Sequence, residues 1–471
     1  MLACVLALGA VLAAGPAMAK SGGGRALAGR LDPSFSGDGK VLLGFPPENA
    51  GAVGVKYTLP FQFNAGQLRM APAPGGKTVV AGSSRIVRVL RNGKMDRSFG
   101  AGGTVTVQRP AGMTFVLGDA TVDSQGRVLL AGTVRPQPTS STPDPLLSSA
   151  AVMRFSADGT IDRGFGKEGV VITDLGIQPP LVPSGRYAGA SVGLRSIAVD
   201  GQDRPVLTGA AVVKASFCRK DETVTNGFVA RLTSSGAPDP SFGVGGLREI
   251  SDLASFGGAS VLRSGGVLAV GLTKSGCEYR SRGPGVLLTA LGPEGSLRPG
   301  FGLAGFRSVG FSRAPVATVT PAGKILLLGA KNGKKQLVMR LTHSGGLDAS
   351  FGRTGRINVI APKSVSFAAI GVDDSERILI AGHSTRPVRG KHNKGLGRSS
   401  FTLARLKPKG TFDRSFGHRG SVRTGFGGPS SAFATQLYVD AKGRITVGGS
   451  VTSGLLGTGG GFALARYLAE K

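Results

Sequence analysis

The stretch MDRSFGAGGTV, residues 95–105, has the residue types of a catalytic or phosphate-binding loop. A carboxylate such as Asp96 can act as a general base or bind a cation, and backbone N–H groups in a glycine-rich loop can bind phosphate. The phrase occurs, with variations, seven times along the chain, with its phenylalanine at Phe35, Phe99, Phe165, Phe242, Phe301, Phe351 and Phe416. Seven copies indicate architecture, so we interpret the aspartate as a turn cap and the phenylalanine as packed between neighbouring structural units.

Two features of the repeated phrase favour a structural role. A glycine follows the phenylalanine by four positions in every copy, as Gly103 follows Phe99, which is typical of a positive φ or of close backbone packing. In the fifth copy Arg298 stands in place of the aspartate. A catalytic or calcium-binding role shared by all copies would require a carboxylate there.

The other candidates for chemistry also have structural interpretations. Four aspartates end strand-like segments and could ring a central channel as metal ligands, but turn formation accounts for them: Asp123, Asp200, Asp373 and Asp440. The histidines are expected at the surface, His343 and His418 in turns beside the phrase and His383 and His392 in one glycine-rich basic loop. The stretch GLLGTGGGF from Gly454 has no helix pattern after it and is interpreted as a hairpin. The sequence therefore predicts no catalytic residue, metal site or cofactor.

The elements that must position these residues are short strands. The chain is 41% hydrophobic, enough for a core, and its 78 glycines indicate many turns. The phrases lie 50–77 residues apart, a spacing that suits four-stranded propeller blades with variable loops. Apolar runs such as GRVLLAG from Gly126 predict buried second strands. In third strands such as AVMRFSADG from Ala151, alternation predicts that the arginine points outward.

The two ends of the chain predict how the sheet closes. The chain begins with LDPSFSGDGKVLLGF from Leu31, which belongs at the end of a blade, and finishes with two strands after Gly443 that no such phrase follows. The N-terminal strand therefore completes the C-terminal blade, an arrangement that removes free sheet edges. The predicted fold is all-β, a single seven-bladed β-propeller of four-stranded blades over residues 31–471.

The LDxSFGxxG phrase, with the apolar GR-initiated strands and arginine-containing strands upstream of it, resembles the bacterial delta-60 repeat proteins, a β-propeller family. The resemblance covers about residues 31–468. Strand pairs of the AVDSxGR type are also loosely similar to NHL and teneurin-type propellers. The family resemblance implies the fold and frequent export, and it implies no settled activity and no catalytic residues.

The N-terminal segment predicts export. Residues 1–19 carry no charge and end in Ala-Met-Ala, which is typical of a signal peptide, although a basic start is missing and a retained anchor stays open. Residues 20–30 are expected to form a flexible glycine-rich linker. No later segment is long and apolar enough to span a membrane. We therefore expect a secreted, cell-surface or envelope protein.

The net charge of +30 indicates an anionic partner. For an exported protein we expect a protein, an anionic envelope polymer or a glycan as the partner rather than nucleic acid. The basic residues gather in loops between second and third strands, which leave one face of a propeller, at Lys331, Lys334, Lys335, Arg386, Arg389, Lys391, Lys394 and Arg398. A basic surface that is merely solvated stays open as the alternative.

Two cysteines remain beyond the signal segment, and neither belongs to a metal-ligand pattern. Cys218 and Cys277 lie 59 residues apart, which equals the spacing from Phe242 to Phe301. They therefore occupy equivalent loops of consecutive blades, and an oxidising compartment would let them form a disulfide.

The preferred function is a non-catalytic exported propeller, expected to be monomeric, that binds a partner or polymer. The alternative is a propeller enzyme, such as a polysaccharide lyase or hydrolase, that acts at the central channel. A convergent set of acids, histidines or tyrosines at the channel would distinguish the enzyme from the binding protein.

Overall fold

A computed structural model describes thirteen stretches of the chain, residues 28–44, 68–137, 148–177, 191–214, 223–250, 253–273, 285–312, 315–331, 335–359, 364–387, 397–427, 430–452 and 460–469. Within these stretches the chain forms strands β1 to β28 and a 3-10 turn at Pro74–Gly76, and no α-helix. The strands form seven four-stranded antiparallel sheets, which are the blades. The predicted seven-bladed, all-β propeller is confirmed.

The first four blades follow one another along the chain. Blade 1 consists of β2 (Arg69–Ala73), β3 (Lys77–Ala81), β4 (Arg85–Val89) and β5 (Thr104–Thr106). Blade 2 consists of β6 (Met113–Val122), β7 (Val128–Pro136), β8 (Ser149–Phe155) and β9 (Val170–Thr173). Blade 3 consists of β10 (Ser191–Val199), β11 (Pro205–Lys214), β12 (Thr223–Arg231) and β13 (Leu247–Ile250). Blade 4 consists of β14 (Leu253–Val261), β15 (Val267–Thr273), β16 (Val286–Leu291) and β17 (Phe306–Val309).

The last three blades include the closing one. Blade 5 consists of β18 (Val316–Val319), β19 (Ile325–Lys331), β20 (Lys335–Leu341) and β21 (Arg356–Asn358). Blade 6 consists of β22 (Val365–Val372), β23 (Ile378–Pro387), β24 (Gly397–Leu406) and β25 (Ser421–Thr424). Blade 7 consists of β26 (Ser431–Val439), β27 (Ile445–Thr452), β28 (Gly460–Tyr467) and β1 (Lys40–Gly44).

The second and third strands of each blade carry most of the core because neighbouring blades cover both of their faces. In β7 every residue from Val128 to Val134 is buried, and a continuous run of apolar and small residues is what such a strand needs. The core is divided into clusters, most of which join residues of two neighbouring blades. One such cluster packs Phe99 of blade 1 against Val128 and Met153 of blade 2.

The first strand of each blade is the innermost one, and each innermost strand contacts the innermost strands of both neighbours, so that β2 and β26 complete the ring. Because each blade is an antiparallel meander, its first and third turns, such as residues 123–127 and 156–160, lie on one face of the ring. We call this the turn face. The opposite face carries connections such as residues 82–84 and 107–112, and we call it the loop face.

The first strand closes the ring from the other end of the chain. Strand β1 pairs with β28 in antiparallel register from Lys40 opposite Ala465 to Gly44 opposite Gly461. The backbone N–H groups of Gly29 and Asp32 also donate to the carbonyls of Leu468 and Arg466, 2.8 Å away in each case. The last blade therefore has a paired outer strand that its own C-terminal sequence does not provide.

The chain before this strand is partly described. Ala28 is buried and its carbonyl accepts a bond from the Gly417 N–H, so the end of the glycine-rich segment is packed against blade 6. The signal segment, residues 1–19, and most of residues 20–30 lie outside the described residues. Among the described residues, no helix has the length and hydropathy of a membrane span.

Candidate functional sites

The aspartate of the repeated phrase forms a buried ion pair in six of the seven blades. Its partner is an arginine on the third strand, eight positions earlier in the sequence within a blade, as in Arg231 and Asp239. The arginine Nε lies 2.7–2.8 Å from the carboxylate Oδ2 in all six pairs: Arg88–Asp96, Arg154–Asp162, Arg231–Asp239, Arg340–Asp348, Arg405–Asp413 and Arg466–Asp32. The carboxylate is therefore occupied by a structural partner.

In these six blades the same arginine also contacts the next blade. Its guanidinium lies over the ring of the phrase phenylalanine, 4.7 Å from the centroid for Arg231 and Phe242. Its Nη1 donates to a backbone carbonyl of the following blade. The acceptor of Arg231 is Pro293, 2.6 Å away in a third turn, and the acceptor of Arg405 is Ala469, 2.7 Å away just after β28. One side chain thus connects an ion pair, an aromatic ring and the neighbouring blade.

The prediction that these arginines point outward is wrong. Arg231 is 2% exposed and Arg405 is fully buried, because the side of the third strand that they occupy faces the next blade and not solvent. Burial of a charge requires a charged partner, and the phrase aspartate provides one. The aspartate also forms the expected turn, in which its Oδ1 accepts from the N–H and hydroxyl of the residue two positions on, as Asp239 does from Ser241 at 3.0 and 2.7 Å.

The glycine that follows each phenylalanine has a positive φ in all seven copies, from 80° at Gly39 to 99° at Gly103. Close packing adds a second requirement. A Cβ at Gly246 would lie 2.9 Å from the Asp239 nitrogen and 3.0 Å from the Arg231 oxygen. The glycine is therefore required both by its backbone conformation and by the backbone atoms that surround it.

The four aspartates that end the first strands bind within their own turns. Each carboxylate pairs with the arginine four positions later, as Asp373 does with Arg377 at 2.7 Å, and accepts backbone N–H bonds of the turn. The set is Asp123, Asp200, Asp373 and Asp440. In the described part of the chain, no group of three or more potential ligands could hold a metal ion.

The innermost strands contain one described carboxylate, Asp119 on β6. It accepts bonds from the Ser196 hydroxyl at 3.0 Å and the Ile197 N–H at 3.3 Å in blade 3, and the Arg69 Nε of blade 1 lies 3.6 Å away. Burial raises the pKa of Asp119, and the nearby Arg69 charge opposes that effect. These contacts link three consecutive blades. A glycosidase uses a pair of carboxyl groups, and the described residues of the innermost strands include one, Asp119.

The basic residues of the loop face are only partly described. Arg386 and Arg398 lie directly opposite each other on β23 and β24, and both are exposed. Lys331 and Lys335 are likewise opposite each other on β19 and β20 of the neighbouring blade. Lys334, Arg389, Lys391 and Lys394 lie outside the described residues.

The sequence interpretation missed a third arginine beside this pair. Arg423 on β25 is exposed and pairs with Thr402, which places it on the same side of blade 6 as Arg386 and Arg398. Burial and, to a smaller extent, the charge of Arg386 lower the pKa of Arg423. Its position on a fourth strand, far from the basic loop in sequence, gave no signal that it would join the pair.

The histidines fall in three different settings. His343 and His418 are exposed in turns, as expected, and His392 lies outside the described residues. His383 is not in a loop: it lies on strand β23, half-buried, with its ring 4.9 Å from that of Phe433, and burial lowers its pKa. The strand extends further than the glycine-rich sequence suggested, because β24 pairs with it as far as Gly397.

The two cysteines and most of the glycine-rich stretch from Gly454 lie outside the described residues. Cys218 and Cys277 both lie outside the described residues, between β11 and β12 and between β15 and β16. Residues 454–459 of the stretch GLLGTGGGF also lie outside them, and its last residues belong to β28.

Comparison with known proteins gives the following matches. The model of a family described as a domain of unknown function (DUF5122) beta-propeller matches residues 219–242, and no curated protein matches. A protein of unknown function from Dyadobacter fermentans is 12% identical, with a TM-score of 0.42, 84% of this chain covered and 100% of that one. The polysaccharide lyase Uly1 is 9% identical, with a TM-score of 0.46, 92% of this chain covered and 99% of that one.

A third solved structure, a GH43 endo-arabinanase from Bacillus licheniformis, is 9% identical, with a TM-score of 0.28, 58% of this chain covered and 93% of that one. Likenesses this distant carry no information about activity. The short family match and the seven blades together support assignment of the chain to a β-propeller family.

Proposed function

We propose that this protein is an exported, non-catalytic β-propeller of the delta-60 repeat type that binds an anionic polymer or an acidic partner through the basic part of its loop face. The repeated phrase supports the family proposal, and the uncharged N-terminal segment supports export. Structural ion pairs occupy most of the buried carboxylates that catalysis could use, which favours binding over chemistry.

The observation that carries the proposal is the presence of two like-charge cross-strand pairs on adjacent blades. Arg386 faces Arg398 in blade 6, and Lys331 faces Lys335 in blade 5. Like charges directly opposite each other destabilise a sheet, so the exposed Arg386–Arg398 pair costs folding free energy that an anion would offset. Among the described residues, neither Arg386 nor Arg398 has a carboxylate partner.

The connection between the paired arginines adds more positive charge. Residues 388–396 join β23 to β24 and have the sequence VRGKHNKGL, which contains three basic residues and no acid. The described residues at its two ends, Pro387 and Gly397, pair with each other directly beside Arg386 and Arg398. A polymer with regularly spaced anionic groups matches this extended basic surface better than a single small anion does.

The test measures binding of heparin and polygalacturonate by the mature protein at low and high salt. We expect Arg386→Glu/Arg398→Glu to lose roughly tenfold or more in affinity, and we expect wild-type binding to weaken steeply as the screening length falls below about 8 Å. The control is Arg97→Glu/Arg414→Glu, which makes the same charge change at exposed positions of the turn face. Equal losses in the two variants, or binding independent of salt, would contradict the proposal.

A further inference from the structure

Blade 4 departs from the charged network of the other blades. Ala290 occupies the position of the buried arginine and Arg298 that of the phrase aspartate. Backbone hydrogen bonds establish this equivalence: the Ala290 N–H donates to Gly305 as the Arg231 N–H donates to Gly246, and the Arg298 N–H donates to Ala290. The blade that precedes the change, blade 3, has the complete Arg–Asp pair.

The change extends to the first turn of the same blade. Leu262 and Gly266 occupy the positions of the turn aspartate and its arginine, since the Leu262 N–H donates to the Gly266 carbonyl as the Asp123 N–H donates to that of Arg127. Four charged positions of the network are thus replaced together. Of the residues that now occupy these four positions, Arg298 alone is charged.

A pocket of about 230 Å³ lies where the missing arginine would be, between blades 4 and 5 on the turn face. Its apolar lining includes Leu268, Ala290, Phe301 and Ile325. In the six other blades, a guanidinium covers the ring of the residue equivalent to Phe301. At this junction the ring instead forms part of the pocket wall.

Two arginines, Arg263 and Arg298, line the pocket, and its described lining includes no acidic residue. Arg298 is half-buried, and Arg263 and His343 are exposed at the rim. Among the described residues, the Arg298 side chain has no ion pair and no hydrogen bond. The acidic residue nearest to it in the chain, Glu294, accepts a bond from the Ser296 hydroxyl instead.

We propose that this pocket binds a small organic carboxylate, whose carboxylate group pairs with Arg298 and whose apolar body packs against Phe301. A guanidinium holds a carboxylate by two parallel hydrogen bonds, and this geometry makes the pair selective for planar anions. The other blades contain the same elements, a guanidinium, a carboxylate and a phenylalanine ring, within one chain. Blade 4 keeps an arginine and the ring, and the ligand supplies the carboxylate.

The site lies on the face opposite Arg386 and Arg398, so it does not depend on polymer binding by the loop face. It also differs from that surface in kind, since a pocket with an apolar wall selects for the body of the ligand as well as for its charge. Salt is therefore expected to weaken this binding less than it weakens polymer binding.

The experiment measures saturation transfer by NMR from the mature protein to benzoate, cyclohexanecarboxylate and glucuronate, each beside its neutral amide. We expect at least one of the acids to bind. We expect its amide to bind more weakly by about tenfold or a larger factor, because the amide cannot form the charged pair. Failure of all three acids to bind, or equal binding of an acid and its amide, would overturn the proposal.

Three variants locate the binding. Arg298→Gln removes the charge at similar size and is expected to reduce affinity by about tenfold. Ala290→Arg/Arg298→Asp rebuilds the ion pair of the other blades inside the pocket and is expected to abolish binding while the protein stays folded. Arg414→Gln, at an exposed position on the turn face of blade 6, is the matched control and should leave binding unchanged. Normal binding by Arg298→Gln, or an equal loss in Arg414→Gln, would contradict the assignment.

Discussion

Arg466 on the last strand and Asp32 in the first phrase form an ion pair across 434 positions of sequence, with Nε and Oδ2 2.8 Å apart. Arg405 and Asp413, eight positions apart in blade 6, have the same geometry at the same distance. The pairing that links the third strand to the repeated phrase in blades 1, 2, 3, 5 and 6 therefore also holds the two ends of the chain together. The ring is closed by side chains as well as by the β1–β28 ladder.

Deletion of residues 31–45 tests this closure. The deletion removes β1 and Asp32, exposes the edge of β28 and leaves the Arg466 charge buried without its carboxylate. We expect the free energy of unfolding in urea to fall by about 3–5 kcal/mol or more, since breaking a buried pair alone has that effect. An unchanged urea midpoint and slope would mean that β1 contributes nothing to the ring.

Removal of one interblade arginine should destabilise the whole domain. Arg405→Met leaves the Asp413 carboxylate buried without its cation, and we expect a loss of about 3–5 kcal/mol in chemical unfolding. Arg405→Met/Asp413→Leu removes both charges and should recover much of the loss. Arg414→Met, at an exposed position of the same phrase, is the control and should change stability by less than about 0.5 kcal/mol. A double variant no more stable than the single one would argue against an uncompensated charge as the cause.

Stability should fall in acid because five of the phrase aspartates have lowered pKa values. At Asp96 burial raises the pKa, but hydrogen bonds from Ser98 and Lys77 and the charge of Arg88 outweigh it and hold the pKa well below its ordinary value of 3.8. The pKa is lowered in the same way at Asp32, Asp239, Asp348 and Asp413.

Below pH 3.8 the unfolded chain binds protons that these folded carboxylates do not, so the stabilisation is complete above that pH and is lost as the pH falls toward their folded pKa values. Asp119, whose pKa is raised, contributes with the opposite sign, but it is a single group. The measurement is the urea midpoint from about pH 6 to about pH 2. A midpoint that stays constant below about pH 4 would contradict the expectation.

Neighbouring glycines of one phrase separate backbone conformation from packing. Gly245 and Gly246 both have positive φ, 57° and 86°, but a Cβ at Gly245 would meet nothing within 4 Å. We expect Gly245→Ala to cost about 1–2 kcal/mol for the left-handed conformation alone. Gly246→Ala should cost clearly more, because its Cβ would meet the Asp239 and Arg231 backbones. Equal losses in thermal unfolding would show that packing around Gly246 is not limiting.

Cys218 and Cys277 are predicted to form a disulfide between consecutive blades. Both lie in connections between second and third strands, after β11 and after β15, which leave the same face of the ring. Closing a loop of this length could stabilise the fold by about 4 kcal/mol, less any strain. Thiol counting on the unfolded, unreduced mature protein should find no free thiol. Two titratable thiols, with no mass change on reduction, would end the prediction.

The sequence alone determined the number of blades and the closure. Seven copies of a phrase that each contain a phenylalanine define seven repeating units. A blade whose phrase begins at Leu31 and whose other strands lie at the C-terminal end requires the two ends to meet. These conclusions are robust because a repeat unit cannot bury its apolar faces alone and a sheet edge must be covered. The positive φ of the phrase glycines could also be predicted, because glycine stands four positions after the phenylalanine in all seven copies.

Only the tertiary structure decided which side of a third strand meets solvent. Alternation in the sequence places Arg154 and its neighbours Met153 and Phe155 on opposite sides of β8. It does not distinguish a side that faces water from one that faces the next blade, and Arg154 is buried and paired with the half-buried Asp162. The gathering of Arg386, Arg398 and Arg423 on one side of blade 6, and the pocket beside Arg298, likewise depend on strand register and blade-to-blade packing. Such contacts join residues far apart in sequence, and periodicity along one strand carries no information about them.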